Sequence, residues 1–187
     1  NNVFERYIEA IKRFPCDYVV RITGDCPFIH PEFIDKQIEA LSSFDGDFVK
    51  VAQNTSLLEG QGVHSTKSLR NIYKNTKNLD DLEHVGSKYI SENLDKFRIV
   101  KFEIPEYLQS DKFRLTVDEK KDFELISMLY DQIYNERPFH IKDALSWLEN
   151  NPDLASLNKS ISHSKINKDI KKNFQSAAIN FCGTYRW

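Results

Sequence analysis

The sequence predicts an α/β domain organised around a mainly parallel sheet. Short β-branched runs alternate with helical stretches over the first 150 residues. The helical stretches carry apolar residues at 3.6-residue spacing. The run Asp17–Thr23 has the composition of a strand buried in a parallel sheet.

Val3, Phe4, Tyr7, Ile8 and Ile11 place a helix over 2–13, which Pro15 ends. The strand Asp17–Thr23 follows and breaks at Gly24-Asp25-Cys26-Pro27. A second helix starts near Pro31 and carries Phe33, Ile34, Ile38 and Leu41. Asp47–Val51 reads as a strand, and Leu57–Gly62 reads as a loop with two glycines. Ser65 or Thr66 caps a helix through Lys74, and another helix is expected over about 80–93. Phe97–Glu103 and Phe113–Val117 read as strands, the second ended by Asp118. Phe123, Ile126, Leu129, Tyr130 and Ile133 define a helix over 121–136. A last helix over 141–150 stops at Asn151-Pro152. The segment 158–172 has five lysines against one aspartate, so 1–152 is read as the domain and 153–187 as a lysine-rich tail. Ala177–Trp187 is apolar again and is expected to dock or to lead into something further.

The chain has 187 residues, of which 40% are hydrophobic, enough for one packed core. A net charge of −2 argues against a general nucleic-acid surface. Three widely spaced cysteines give neither a disulfide framework nor a zinc pattern, which makes a cytoplasmic setting the default. No apolar run approaches the roughly 18 residues of a membrane span. The chain opens at Asn1 within an amphipathic pattern, which reads as a truncation. Leu57, Leu58, Val63, Ile104, Tyr107 and Leu108 lie outside the clearest core elements and are expected to mark self-association.

In a parallel sheet, ligands bind beyond the carboxyl ends of the strands. Two strands here end in an aspartate: Arg21-Ile22-Thr23-Gly24-Asp25 and Arg114-Leu115-Thr116-Val117-Asp118. Two such carboxylates converging on one crevice suit Mg²⁺, which prefers oxygen ligands. That pairing serves nucleotidyl transfer, in which charge on a triphosphate must be neutralised. The competing reading makes Asp25 a turn residue and Asp118 a helix cap. A lone His64 in a loop is more often plain surface, and Arg21 within a strand more often pairs with a carboxylate.

The stretch Val19–Ile29 resembles the second motif of the cytidylyltransferases that activate acidic sugars, nearest the branch of the spore coat polysaccharide biosynthesis protein F. Arg114–Asp118 followed by Asp122-Phe123-Glu124 resembles that branch's late motif. Glu59-Gly60 to Leu69 and Glu83-His84-Val85 to Ile90 fall in the same order, so the likeness covers about 1–150. The resemblance implies the Rossmann-like, three-layer nucleotide-diphospho-sugar transferase fold, here incomplete at its N-terminus. It implies CTP or another nucleotide and a sugar, a sugar acid destined for a polysaccharide, as substrates, and a homodimer. It makes Asp25 and Asp118 the catalytic, Mg²⁺-binding carboxylates, with Thr23 and Gly24 also against the nucleotide. His64, in a loop Gly60–Ser65, and Glu83-His84 would face the sugar. This chain has Gly62-Val63-His64 where the family often has an acidic residue, and Glu119-Lys120-Lys121 where it has Thr-Pro-Glu. Nothing matches the family's first, triphosphate-gripping loop, so poor turnover by these residues alone is expected. The other readings are a non-catalytic sugar-nucleotide-binding module and a metal-dependent glycosyltransferase of the related fold.

Overall fold

A computed structural model of the chain describes residues 2–53, 55–137, 139–161, 172–174 and 177–187. Helix α1 (Val3–Arg13) is capped by Asn2, whose side chain accepts from the Glu5 N–H at 2.9 Å. Strand β1 (Tyr18–Ile22) follows, then α2 (Pro31–Phe44), which begins at a His30 cap with Pro31 in its first turn. Strands β2 (Phe48–Val51) and β3 (Gln61–Ser65) come next. Ser65 caps α3 (Thr66–Asn75), as the sequence suggests. Beyond it lie α4 (Leu79–Glu83), α5 (Ser87–Glu92), β4 (Ile99–Glu103), α6 (Lys120–Ile133), α7 (Ile141–Asn150), α8 (Pro152–Ala155) and β5 (Phe181–Arg186).

The sheet order is β1-β3-β2-β4-β5. Strand β3 is antiparallel to both β1 and β2, while β2, β4 and β5 are mutually parallel. Every strand except β3 therefore runs one way, and the expected mainly parallel α/β sheet is what forms. Alternate residues bury on opposite faces. Phe48 and Ile99 join Phe4, Ile8, Leu69, Ile72 and Ile90 beneath α1, α3 and α5. Val63, Val100 and Phe102 join Phe33, Leu41, Leu125, Leu129 and Leu148 of α2, α6 and α7. The result is three layers, helices on both faces of one sheet. Trp147 and Tyr130 pack against the second cluster, as their helical positions predict. No described helix is long and apolar enough to cross a membrane.

Several expectations need correction. The loop read over Gly60–Ser65 is strand β3, which lies inside the sheet. Beyond its single pair with β2 (Phe48 with His64), β3 is completed by α2. Gln37 donates to the Gln61 carbonyl at 2.9 Å and accepts from the Val63 N–H at 3.2 Å. The run Phe113–Val117 forms no strand of the described sheet. Its carbonyls at Phe113 and Arg114 accept from the side chains of Ser56 and Asn158, at 2.8 and 3.0 Å. The helix expected over 80–93 is broken into α4 and α5 by left-handed backbone at Val85 and Gly86. A side chain at Gly86 would run into Ile72, so the break is set by close packing.

The apolar residues expected to mark self-association are internal. Leu57, Leu58, Val63, Ile104 and Leu108 are buried in the α2/α6/α7 cluster, with Tyr107 packed against it. The segment 153–187 is not uniformly a tail. Asn158 is buried, and Phe181–Arg186 pairs with β4 as a sheet strand. Residues 162–171, which hold three of the five lysines of 158–172, lie outside the described residues.

Candidate active site

The loop that follows β1 is held from three sides. The Thr23 N–H donates to the Gly60 carbonyl at 2.9 Å. The Val117 N–H donates to the Asp25 carbonyl at 2.8 Å. The Tyr130 hydroxyl donates to the Pro27 carbonyl at 3.3 Å. Gly60 takes a left-handed φ of 71°, and a Cβ there would collide with Thr23 and Cys26. The turn over 57–60 can therefore sit directly against the loop only because residue 60 is glycine. Gly24 has the opposite surroundings: a Cβ added there would meet nothing within 4 Å, so its backbone is open to a ligand.

The bond from Val117 to Asp25 puts Asp118 one residue from a backbone contact with Asp25. Both aspartates are exposed, at the carboxyl-terminal side of β1. The Thr23 hydroxyl beside Asp25 holds its carboxyl below the usual carboxylate range, against the effect of partial burial, and the Arg21 charge acts the same way. Asp25 is thus a carboxylate at neutral pH. Cys26, next to it, is no nucleophile: burial pushes its thiol up to about 11.

Asp118 does not cap α6. Glu119 occupies the cap position, and Asp122 reaches back to the Glu119 N–H at 3.0 Å. The Asp118 carboxylate instead pairs with Arg114. The same guanidinium bonds fully buried Asp122 at 3.0 Å, and Asn158 donates to Asp122 at 2.8 Å. Burial pushes Asp122 up, but Arg114 and the surrounding N–H donors hold it below the usual carboxylate range. Arg114, Asp122 and Asn158 thereby fix the approach of Asp118. The spacing Arg114, Asp118, Asp122 in steps of four is a legible signal of this lock; Asn158, 44 residues beyond Arg114, leaves none.

His64 lies on β3 opposite Val19 of β1, and its Nδ1 is buried without a partner. Thr116 Oγ1, two residues before Asp118, is the other such orphan among the described residues. Burial, with Arg21 nearby, lowers the His64 pKa to about 4. Arg21 forms no ion pair among the described residues, contrary to the reading that paired it with a carboxylate; its charge is felt at Asp25 and His64. Glu83 ends α4 and His84 caps it, on the α1 side of the sheet. Among the described residues, no hydrogen bond or ion pair links their side chains to Thr23, Asp25, His64 or Asp118.

The donor set of Asp25 and Asp118 suits a hard cation completed by waters and phosphate oxygens. Among the described residues, the group of three whose ligand-type atoms lie within 4.8 Å of one another is His30, Glu32 and His140. Both of its imidazoles are engaged at helix caps: His30 Nδ1 accepts from the Phe33 N–H at 3.3 Å, and His140 Nδ1 from the Lys142 N–H at 3.1 Å. A neutral ring accepting at Nδ1 carries its proton on Nε2, so neither offers a second lone pair without losing its cap. This group is a packing cluster, joined by Tyr107 and Trp187.

Residues 1–143 match the family model described as Cytidylyltransferase. The chain is 34% identical over 160 residues to an uncharacterized protein of Methanocaldococcus jannaschii, covering 86% of this chain and 65% of that protein. It is 28% identical over 156 residues to the spore coat polysaccharide biosynthesis protein SpsF of Bacillus subtilis, covering 82% and 64%. The chain thus spans just under two thirds of these relatives. Its fold matches that of a cytidylyltransferase from Leptospira borgpetersenii with a TM-score of 0.72 at 25% identity, over 87% of this chain and 68% of that one.

Proposed function

From the premise that this chain belongs to the cytidylyltransferase family, we propose that its protein transfers CMP from CTP to a sugar acid and releases pyrophosphate. The observation that carries the reading is the hydrogen bond from Val117 to Asp25, which joins the two aspartate-bearing segments beyond β1. Asp25 and Asp118 would hold Mg²⁺, which supplies charge neutralisation at the triphosphate. Thr23 and the open backbone at Gly24 lie against the nucleotide. Binding both substrates in one crevice aligns the attacking sugar hydroxyl with the α-phosphate, and most of the rate would come from that positioning.

The likeness to SpsF supports a role in polysaccharide biosynthesis, which we assign to the cytoplasm on the family resemblance. Glu83 and His84 are assigned to the sugar side and the assembly to a homodimer on the family resemblance alone. A thermal-shift panel tests the nucleotide reading. CTP with Mg²⁺ should raise the midpoint of the full-length protein more than UTP or ATP, because a ligand at 100 times its Kd adds about 2.7 kcal/mol. An ATP or UTP effect exceeding that of CTP would contradict it.

A further inference from the structure

We propose that Arg21 and His64, facing each other across the space left by Gly62, form a subsite for an anionic group of the acceptor, its carboxylate. The register of β1 and β3 opposes Val19 to His64 and Arg21 to Gly62. Directly opposed residues of an antiparallel pair project to the same face. Arg21, His64 and Gly62 therefore share one side of the sheet, with Arg21 and Gly62 toward the ligand end of β1 and His64 one pleat behind them. A Cβ added at Gly62 would meet only His64 Nε2, at 3.5 Å, so the surface above residue 62 is open and the imidazole borders it. Nδ1 is the buried nitrogen. A neutral ring with one nitrogen in apolar surroundings keeps its proton on the nitrogen that can be solvated, which makes Nε2–H a donor toward the opening.

Arg21 supplies the charge. It is partly buried and forms no hydrogen bond or ion pair among the described residues. An unpaired guanidinium beside an N–H donor, over a floor lacking a side chain, matches a carboxylate or a phosphate. Arg21 stands two residues before Thr23, about 7 Å along a strand, and its charge reaches Asp25. An acceptor anchored here by its acid group would have its remaining atoms directed toward the aspartates. This assignment rests on the nucleotidyl-transfer reading for the identity of the acceptor, but the anion site itself can be judged separately.

The test is an NMR titration of imidazole-labelled protein with glucuronate, glucose and inorganic phosphate. Glucuronate should move the His64 resonances saturably and glucose should not. Arg21→Met should abolish the response, and Arg21→Lys should weaken it about tenfold by losing the bidentate fork. A thermal unfolding midpoint close to that of the wild type would show that each variant is folded. Response to phosphate but not to glucuronate would overturn the assignment to the acceptor and give the site to the nucleotide. No response to either anion at concentrations well above 1 mM, where even a site worth about 4 kcal/mol would fill, would overturn the subsite altogether. CTP binding with Mg²⁺, measured on the same samples, reports on the transfer reaction independently.

Discussion

Replacing His64 with leucine should flatten the acid dependence of stability. In the fold the imidazole is held at about 4, against 6.5 for a free histidine, chiefly by burial and further by Arg21. A base whose pKa is depressed by folding takes up its proton more readily in the unfolded chain. Stability is therefore intact above pH 6.5, falls as pH drops below it, and levels off below about 4. The full gap corresponds to about 3 kcal/mol, and about 2 kcal/mol of it should be lost between pH 7 and pH 5. Burial pushes His30 in the same direction, with His140 adding to it, but that contribution is common to both proteins and cancels in the comparison. Asp25 and Asp122, both held below the usual carboxylate range, lose their contributions only below about pH 4. Urea unfolding of the wild type and His64→Leu at pH 7 and pH 5 supplies the measurement. The wild type should lose about 2 kcal/mol more than the variant. At pH 7 the variant should be at least as stable, because an unpaired buried nitrogen costs about 1–3 kcal/mol. Equal losses in the two proteins would refute the burial argument.

Three further outcomes follow from the packing. Gly60→Ala should lower stability by about 1–2 kcal/mol or more, because residue 60 is left-handed and a Cβ there meets Thr23 and Cys26; an unchanged thermal midpoint would mean that the loop yields. Asp122→Ala should cost about 3–5 kcal/mol by leaving Arg114, which is mostly buried, without its inner partner; chemical denaturation measures this, and a loss under about 1 kcal/mol would show that Asp118 alone suffices. Exposed Cys16 should react with a thiol reagent before Cys26, whose thiol burial pushes to about 11; mass mapping that finds Cys26 modified first would contradict this.

The sequence was most legible where one physical signal acted alone. Apolar spacing located α1, α2, α6 and α7, and β-branched content located β1. It failed where tertiary packing overrode local preference. Gln61-Gly62-Val63-His64-Ser65 has one glycine and three polar residues, yet it is a strand because β1 pairs with all of it and Gln37 completes what β2 does not. Phe113–Val117 has strand composition, but its carbonyls go to Ser56 and Asn158 instead of a neighbouring strand. The break at Val85 arises from the approach of Gly86 to Ile72, a contact between residues far apart in sequence. Burial of Leu57 and Leu108 under α2 and α7 was equally invisible to local reasoning. In the candidate site, Asp25 and Asp118 stood out as strand-end carboxylates. The orphaned Nδ1 of His64 and the lock on Asp118 needed coordinates, because both depend on which strands and loops are neighbours.

In the proposed reaction Asp25 and Asp118 act together on a metal-bound nucleotide. Pyrophosphate release by the full-length protein, given CTP, Mg²⁺ and a panel of sugar acids, tests it most directly. Asp25→Asn and Asp118→Asn keep the shape of each side chain and remove its charge. Each should lower turnover by about 100-fold or more, equivalent to about 3 kcal/mol at the transition state, with the unfolding midpoint nearly unchanged for Asp25→Asn because that side chain is exposed. Turnover within a few-fold of wild type in either variant would contradict the claim.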